Sequence, residues 1–284
     1  MPEDHALPRS RFWRQARAGL VLTERDETLL ADLFVHRAMR RDQIQELYFG
    51  SLTRCSTRLR LLFDHGYLRR SYPPGAAYVG QAIYSIAAAA VPIVARRLQW
   101  EEGSVRELTR KSPTPTFWEH TLGIVDFYLA ARRSVAAQSQ VRIGRWLPEV
   151  LCRHEYDVRV GGGAWRREVF KPDAYISLQR EANGQSFPFF LEIDLGHTSA
   201  RQFGSKATGY ERYLDGGLFL ELYGAASFRV LIVTTGEGRL RHLLQVVKGS
   251  GVPFLATTLS AVAADGPLAH VWMTVGEQPS ALLP

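Results

Sequence analysis

Leu29, Leu30, Leu33 and Phe34 recur at helical spacing behind Thr23, which can cap a helix carrying Asp26 and Glu27 in its first turn. A second helix is predicted over residues 41–48, with Ile44 and Leu47 inward and Gly50 at its end. Thr53 opens a third, whose buried stripe is Leu59, Leu62 and Phe63, and Gly66 stops it. Two short apolar segments follow, Tyr67-Leu68 and residues 82–85, around a turn at Tyr72, Pro73, Pro74 and Gly75. A further helix is predicted over residues 87–98.

The pattern changes after residues 106–116, where Lys111, Pro113 and Pro115 disfavour helix. Residues 117–132 return to helical spacing, with Phe117, Thr121, Ile124, Val125, Tyr128 and Leu129 on one face. Strands are predicted at 156–160, 164–170, 174–178 and 187–195, with a tight turn at Gly161, Gly162 and Gly163. Then come a helix over 199–220, a strand at 229–235, a helix at 238–248 and a strand at 252–256. Helices alternating with strands predict an α/β (α+β) second half with a mixed sheet. The predicted organisation is an extension over 1–22, a first domain over 23–100, a linker over 101–114 and a second domain over 115–284.

The chain has 284 residues, 46% of them hydrophobic, enough for two packed domains. Its net charge is +7, carried by 31 Arg and only four Lys. Residues 1–114 hold 18 basic and 12 acidic side chains, a net of +6, leaving +1 for the remainder. An excess of cations in the first part favours a polyanionic partner there. Three helices followed by a hairpin is the order of a winged helix-turn-helix. Its third helix displays Arg54, Ser56, Thr57, Arg58 and Arg60 on its non-core faces, and Arg69 and Arg70 lead into the wing. These residue types reach phosphates and base edges, so double-stranded DNA is the expected partner. Winged helices that bind protein, and arginines that are merely solvated, are the alternative.

Two cysteines, Cys55 and Cys152, without a CxxC pair make neither a zinc site nor a disulfide framework, and a cytoplasmic setting is expected. No apolar run reaches the ~18 residues of a membrane span, and no hydrophobic segment of the signal-peptide kind is present. The chain lacks a P-loop and a GxGxxG after a strand, which argues against nucleotide hydrolysis and dinucleotide redox chemistry.

The unusual residues lie in the strand Phe189-Phe190-Leu191-Glu192-Ile193-Asp194-Leu195. Glu192 and Asp194 are two apart and point to one face. Two carboxylates on an apolar strand repel each other and are costly to desolvate. Mg²⁺ or Mn²⁺ would offset that cost, with Asp173 joining from the neighbouring strand. Lys206 and Tyr210 share one side of the next helix. Alternatively, Glu192 and Asp194 form the polar face of an edge strand.

Lys171-Pro172-Asp173-Ala174, then Phe190-Leu191-Glu192-Ile193-Asp194, then Lys206 and Tyr210, resemble the PD-(D/E)XK nuclease pattern. The stretch from Leu22-Thr23-Glu24-Arg25-Asp26 to Gly66-Tyr67-Leu68 is similar to the winged helix of the bacterial replication-relaxation family. That family occurs on plasmids and mobile elements and joins a winged helix to a PD-(D/E)XK, restriction-endonuclease-like domain. The resemblance implies that Asp173 and Glu192 hold Mg²⁺ or Mn²⁺, with the Ile193 carbonyl as a further ligand. Asp194 stands where the nuclease lysine is usual, as an extra ligand or a partner of Lys206, and Lys206 restores the lysine from the helix. Glu119 or His120 would add a group from the first core helix, and His197 and Arg201 could contact a phosphate. The implied function is a DNA endonuclease or nickase acting during replication or transfer. The alternatives are an inactive DNA-binding replication or transcription regulator that keeps the nuclease fold, and a regulator whose second domain senses a ligand. Cleavage of a palindromic duplex would call for a homodimer.

Overall fold

The computed structural model describes residues 19–72, 82–110, 115–159, 163–276 and 278–283. The chain forms two compact units, Met1–Leu122 and Gly123–Pro284, and the division falls inside one long helix.

In the first unit, α1 (Glu24–Val35), β1 (Met39–Arg40), α2 (Arg41–Tyr48) and α3 (Leu52–Asp64) precede β2 (Leu68–Ser71) and β3 (Ile83–Ile86). The strands pair antiparallel in the order β1-β3-β2. Thr23 caps α1 in a capping box with Asp26, as its position predicts. α3 opens at Leu52, one residue before Thr53, and Ser51 caps it: its hydroxyl accepts the Arg54 amide at 3.3 Å. Leu59, Leu62, Leu29, Leu30 and Leu33 are buried, as the helical stripes of α1 and α3 predict. The predicted turn at Tyr72–Gly75 runs beyond Tyr72 into residues outside those described.

The helix expected over 87–98 is a 3₁₀ turn (Ala88–Ala90) followed by α4 (Val91–Leu98), with Pro92 in its first turn. The expected linker contains α5 (Glu102–Arg110), which buries Val105 and Thr109, one helical turn apart. Its C-terminal carbonyls are met by two arginines: Arg37 Nη2 donates to Leu108 O at 2.9 Å and Arg69 Nη1 to Thr109 O at 2.7 Å. Residues 111–114 lie outside the described ones. α6 (Pro115–Ala136) carries the division between the units.

In the second unit, β4 (Val141–Pro148), α7 (Glu149–Cys152), β5 (His154–Arg159), β6 (Trp165–Phe170), β7 (Ala174–Arg180) and β8 (Ser186–Asp194) follow α6. Next come α8 (Ala200–Asp215), α9 (Leu218–Tyr223), β9 (Arg229–Thr234), α10 (Glu237–Val246), β10 (Phe254–Thr258), α11 (Leu259–Asp265), β11 (Trp272–Thr274) and β12 (Pro279–Ser280). Seven strands make one mixed sheet in the order β12-β11-β10-β9-β8-β7-β4, parallel at β8·β9 and β9·β10 and antiparallel elsewhere. Among the described residues, β5 and β6 pair only with each other, as a separate ribbon, so they are not strands of the expected sheet. The turn proposed at Gly161–Gly163 lies outside the described residues except for Gly163. β4 escaped the periodicity reading because it is an edge strand, half exposed and interrupted by Arg142, Gly144 and Arg145. The helix expected over 199–220 breaks at Gly216-Gly217, where Gly217 takes φ +73°.

β8 lies between β7 and β9 with both faces covered, which rules out an edge strand. Phe189, Leu191 and Ile193 pack with Ile124, Phe127, Ala130 and Ala131 of α6. Gly123 permits that approach: a Cβ there would stand 3.3 Å from Ile193 Cγ2. On the other face, Phe190 packs with Phe203, Ala207, Tyr210 and Tyr213 of α8 and Leu240, Leu243 and Leu244 of α10. Strand alternation therefore sends Glu192 and Asp194 under α8 and α10, where they are 2% and 3% exposed. Among the described residues, no helix is long and apolar enough to cross a membrane.

Candidate active site

Pro172 and Asp173 lead into β7, Asp173 standing immediately before its first residue. The Asp173 amide donates to Leu191 O at 3.1 Å, and its Oδ2 accepts the Ile193 amide at 2.7 Å. These bonds seat Asp173 beside β8, level with Glu192. From above, α8 supplies Lys206 and Tyr210, four residues apart and hence on one helix face. Lys206 Nζ hydrogen-bonds Glu192 Oε2 and stands 3.8 Å from Asp173 Oδ1. The Tyr210 hydroxyl donates to Glu192 Oε1. Three segments thus bring two acids and one ammonium together, and the Lys206 side chain remains 38% exposed.

The electrostatics follow from two acids sharing one cation. Burial pushes the Glu192 carboxyl up to about 7; the Lys206 ammonium pulls it down, and Asp173 pushes it up again. For Lys206, burial opposes the charge, but Asp173 and Glu192 hold the ammonium above the ordinary lysine range. Burial and then Glu192 keep the Tyr210 hydroxyl well above its usual value, so it donates. Burial, followed by Asp173, raises the Cys152 thiol far above the thiolate range; Cys152 is packing beside the site, with Sγ 3.8 Å from Pro172 O.

Asp194 does not join this cluster. Arg239, in the first turn of α10, takes it in a fork, Nε to Oδ2 at 2.8 Å and Nη2 to Oδ1 at 2.9 Å. The Thr234 hydroxyl and the Gly196 amide add bonds to Oδ2 at 2.9 and 3.3 Å. Gly196, at φ +85°, supplies the left-handed turn that aims its amide back at the carboxylate. Burial opposes the Asp194 charge, but Arg239 and Thr234 hold its carboxyl below the usual range. Arg239 and Thr234 carried no sequence signal. Thr234 is legible only once β9 is laid parallel to β8, which sets it opposite Asp194. Glu119 and His120 lie on the first-unit side of the division, Glu119 exposed and His120 half-buried. His197 and Arg201 are exposed.

Fit to a divalent cation rests on the donor set. Among the described residues, no group of three or more His, Cys, Asp or Glu side chains could hold a metal ion. Mg²⁺, however, keeps several waters and is bound through one or two carboxylates plus substrate phosphates. Asp173 and Glu192 match that set in number and kind, with both Glu192 oxygens held by Lys206 and Tyr210.

In the first unit, several arginines expected to face DNA have protein partners. Arg58 is 18% exposed, its Nε donates to Asp26 Oδ1 at 2.9 Å, and its Nη2 binds Asp26 Oδ2 and Val21 O. Arg60 Nε binds Asp64 Oδ2 at 2.9 Å. Arg69 caps α5, and Arg70 lies over the Phe63 ring, 4.3 Å from its centroid. Arg54 and Thr57 are exposed on α3, and Ser56 is half-buried.

No curated protein and no solved structure matches the chain. Residues 30–227 match the family described as replication-relaxation, a span that holds Asp173, Glu192, Asp194 and Lys206 and stops short of Arg239. With well over half of its length matched, the chain belongs to the replication-relaxation family.

Proposed function

We propose that this is a DNA-binding protein of plasmid or mobile-element replication or transfer, whose second unit is a PD-(D/E)XK-type nuclease centre built from Asp173, Glu192 and Lys206. The carrying observation is the meeting of Asp173, just before β7, and Glu192, from β8, at the ammonium of Lys206 from α8. Two neighbouring acids with a cation beside them suit metal-assisted phosphodiester hydrolysis. Asp173 and Glu192 would hold Mg²⁺ or Mn²⁺, which when bound supplies Lewis-acid activation of water and phosphate. Lys206 stays protonated, so it is no general base. It stabilises charge developing on the phosphate and orients the attacking water by donating to it. Tyr210 holds Oε1 of Glu192, which fixes the carboxylate plane. The Ile193 amide does the same for Asp173.

The first unit has the element order of a winged helix-turn-helix, with α3 as the helix for the major groove. Arg54 and Thr57 are then its foremost contacts, since Arg58, Arg60 and Arg69 bind protein groups.

Nicking of supercoiled plasmid in Mg²⁺ or Mn²⁺ tests the reading. Wild type should nick, and Asp173→Ala, Glu192→Gln and Lys206→Met should each abolish it. The acid at position 194 and the closure of Glu192 by Lys206 favour a second reading, a non-cleaving DNA-binding factor. Tight DNA binding by wild type without nicking in either metal would establish that reading instead.

A further inference from the structure

Arg239 makes three hydrogen bonds that join two separate pieces of chain. Its fork holds Asp194, the last residue of β8, and its Nη2 also donates to the carbonyl of Thr198. Thr198 immediately precedes Ser199, the N-cap of α8, whose hydroxyl accepts the Gln202 amide at 3.3 Å. One guanidinium therefore grips both ends of the loop between the strand that carries Glu192 and the helix that carries Lys206. Thr234 and Gly196 hold the same carboxylate, so the strand end is fixed from three directions. Arg239 is 20% exposed and its charge is met by an Asp194 side chain that is 2% exposed, which leaves it poorly placed to act on a phosphate itself.

We infer that Arg239 is a positioning residue: through Asp194 and Thr198 it sets where α8 starts, and thereby holds the Lys206 ammonium against Glu192. This rests on the nuclease reading for its kinetic consequence but not for its structural one. A planar fork with a third donor suits the task; a lysine, with one compact ammonium, could not span the carboxylate and the carbonyl in the same way.

The chain has only four lysines, so the Nζ signals of ¹⁵N-lysine-labelled protein are few, and Lys206→Met identifies that of Lys206. In wild type it should be a protected ammonium signal. In Arg239→Gln it should move to the position of the exposed lysines or exchange away. Should the lone Asp194 charge unfold that variant, Asp194→Asn/Arg239→Gln leaves no buried charge unpaired and should show the same change. A folded variant whose Lys206 signal is unchanged overturns the inference. In the nicking assay, Arg239→Gln should lower kcat about 10- to 100-fold with KM for plasmid held within about twofold. A raised KM at unchanged kcat would instead make Arg239 a DNA contact and also overturn it. If wild type does not nick, the nuclease reading fails, and the lysine signal alone still decides the role of Arg239.

Discussion

Each unit buries a carboxylate against a cation, with opposite electrostatic results. In the first, Asp26 is fully buried and surrounded by donors: the Thr23 amide at 2.7 Å, the Thr23 hydroxyl at 2.6 Å and the Arg58 guanidinium. Burial opposes its charge, but Arg58 and Thr23 hold its carboxyl below the ordinary range. In the second, Glu192 has Lys206 and Tyr210, yet its carboxyl rises to about 7 because burial and Asp173 outweigh them. The difference lies in the neighbours: Asp26 faces the Arg58 guanidinium, whereas Glu192 meets the Lys206 ammonium with a second acid, Asp173, beside it. A pair satisfied within the protein holds a fold together. Two acids beside one partly exposed lysine are the feature on which the proposed cation site rests.

The sharpest way to break this contrast is Arg58→Ala. It leaves Asp26 buried without its cation and should destabilise the protein by about 3–5 kcal/mol in urea unfolding. Were Arg58 chiefly a DNA contact, stability would hold and only affinity would fall. Glu192→Gln probes the other pair. A carboxyl raised from 4.5 to about 7 by folding contributes stability below 4.5 that is lost as pH rises through 7. Between pH 4.5 and 8, wild type should lose on the order of 3 kcal/mol relative to the Gln variant; parallel pH profiles would contradict the assignment. Nicking should rise through the same window as Glu192 becomes a carboxylate. Asp26 and Asp194 have the reverse sign, stabilising above the ordinary aspartate range and losing that contribution as pH falls. Thr234→Val removes one of several donors to Asp194 and should cost about 1.5 kcal/mol by denaturation. Arg54→Ala, on the exposed face of α3, should alter stability by no more than about 0.5 kcal/mol. It should reduce the salt slope of DNA binding by roughly one phosphate contact; an unchanged slope would remove Arg54 from the interface.

Much of the second-unit centre was legible along the chain. Glu192 and Asp194 are acids in an apolar strand, and Lys206 and Tyr210 stand one turn apart, so local periodicity brought out all four. Asp173 follows from its place after Pro172 at a strand start. The stripes of α1 and α3 and the Thr23 cap were equally plain, because each depends on neighbours within four residues. Harder to read were segments whose burial comes from elsewhere: β4, an edge strand with polar interruptions, and α5, a short helix anchored by Arg37 and Arg69 from the preceding part of the unit. Arg58 and Arg60 read as solvent-facing because their partners, Asp26 and Asp64, are themselves buried acids on the inner side of helices.

Periodicity was therefore sufficient for the helical stripes and the central strands, for the side of β8 on which the acids stand and for the helix face that answers them. Partnership was not. Lys206 lies 14 residues from Glu192, while Arg239 lies 45 from Asp194, and it is the parallel docking of β9 with the start of α10 that delivers the latter. A spacing rule reaches only as far as one strand or one turn, so it could place two carboxylates side by side but not choose the cation for each. That choice separates a pair with a partly exposed lysine from one that ties a loop, and it belongs to the packing of helices across the sheet.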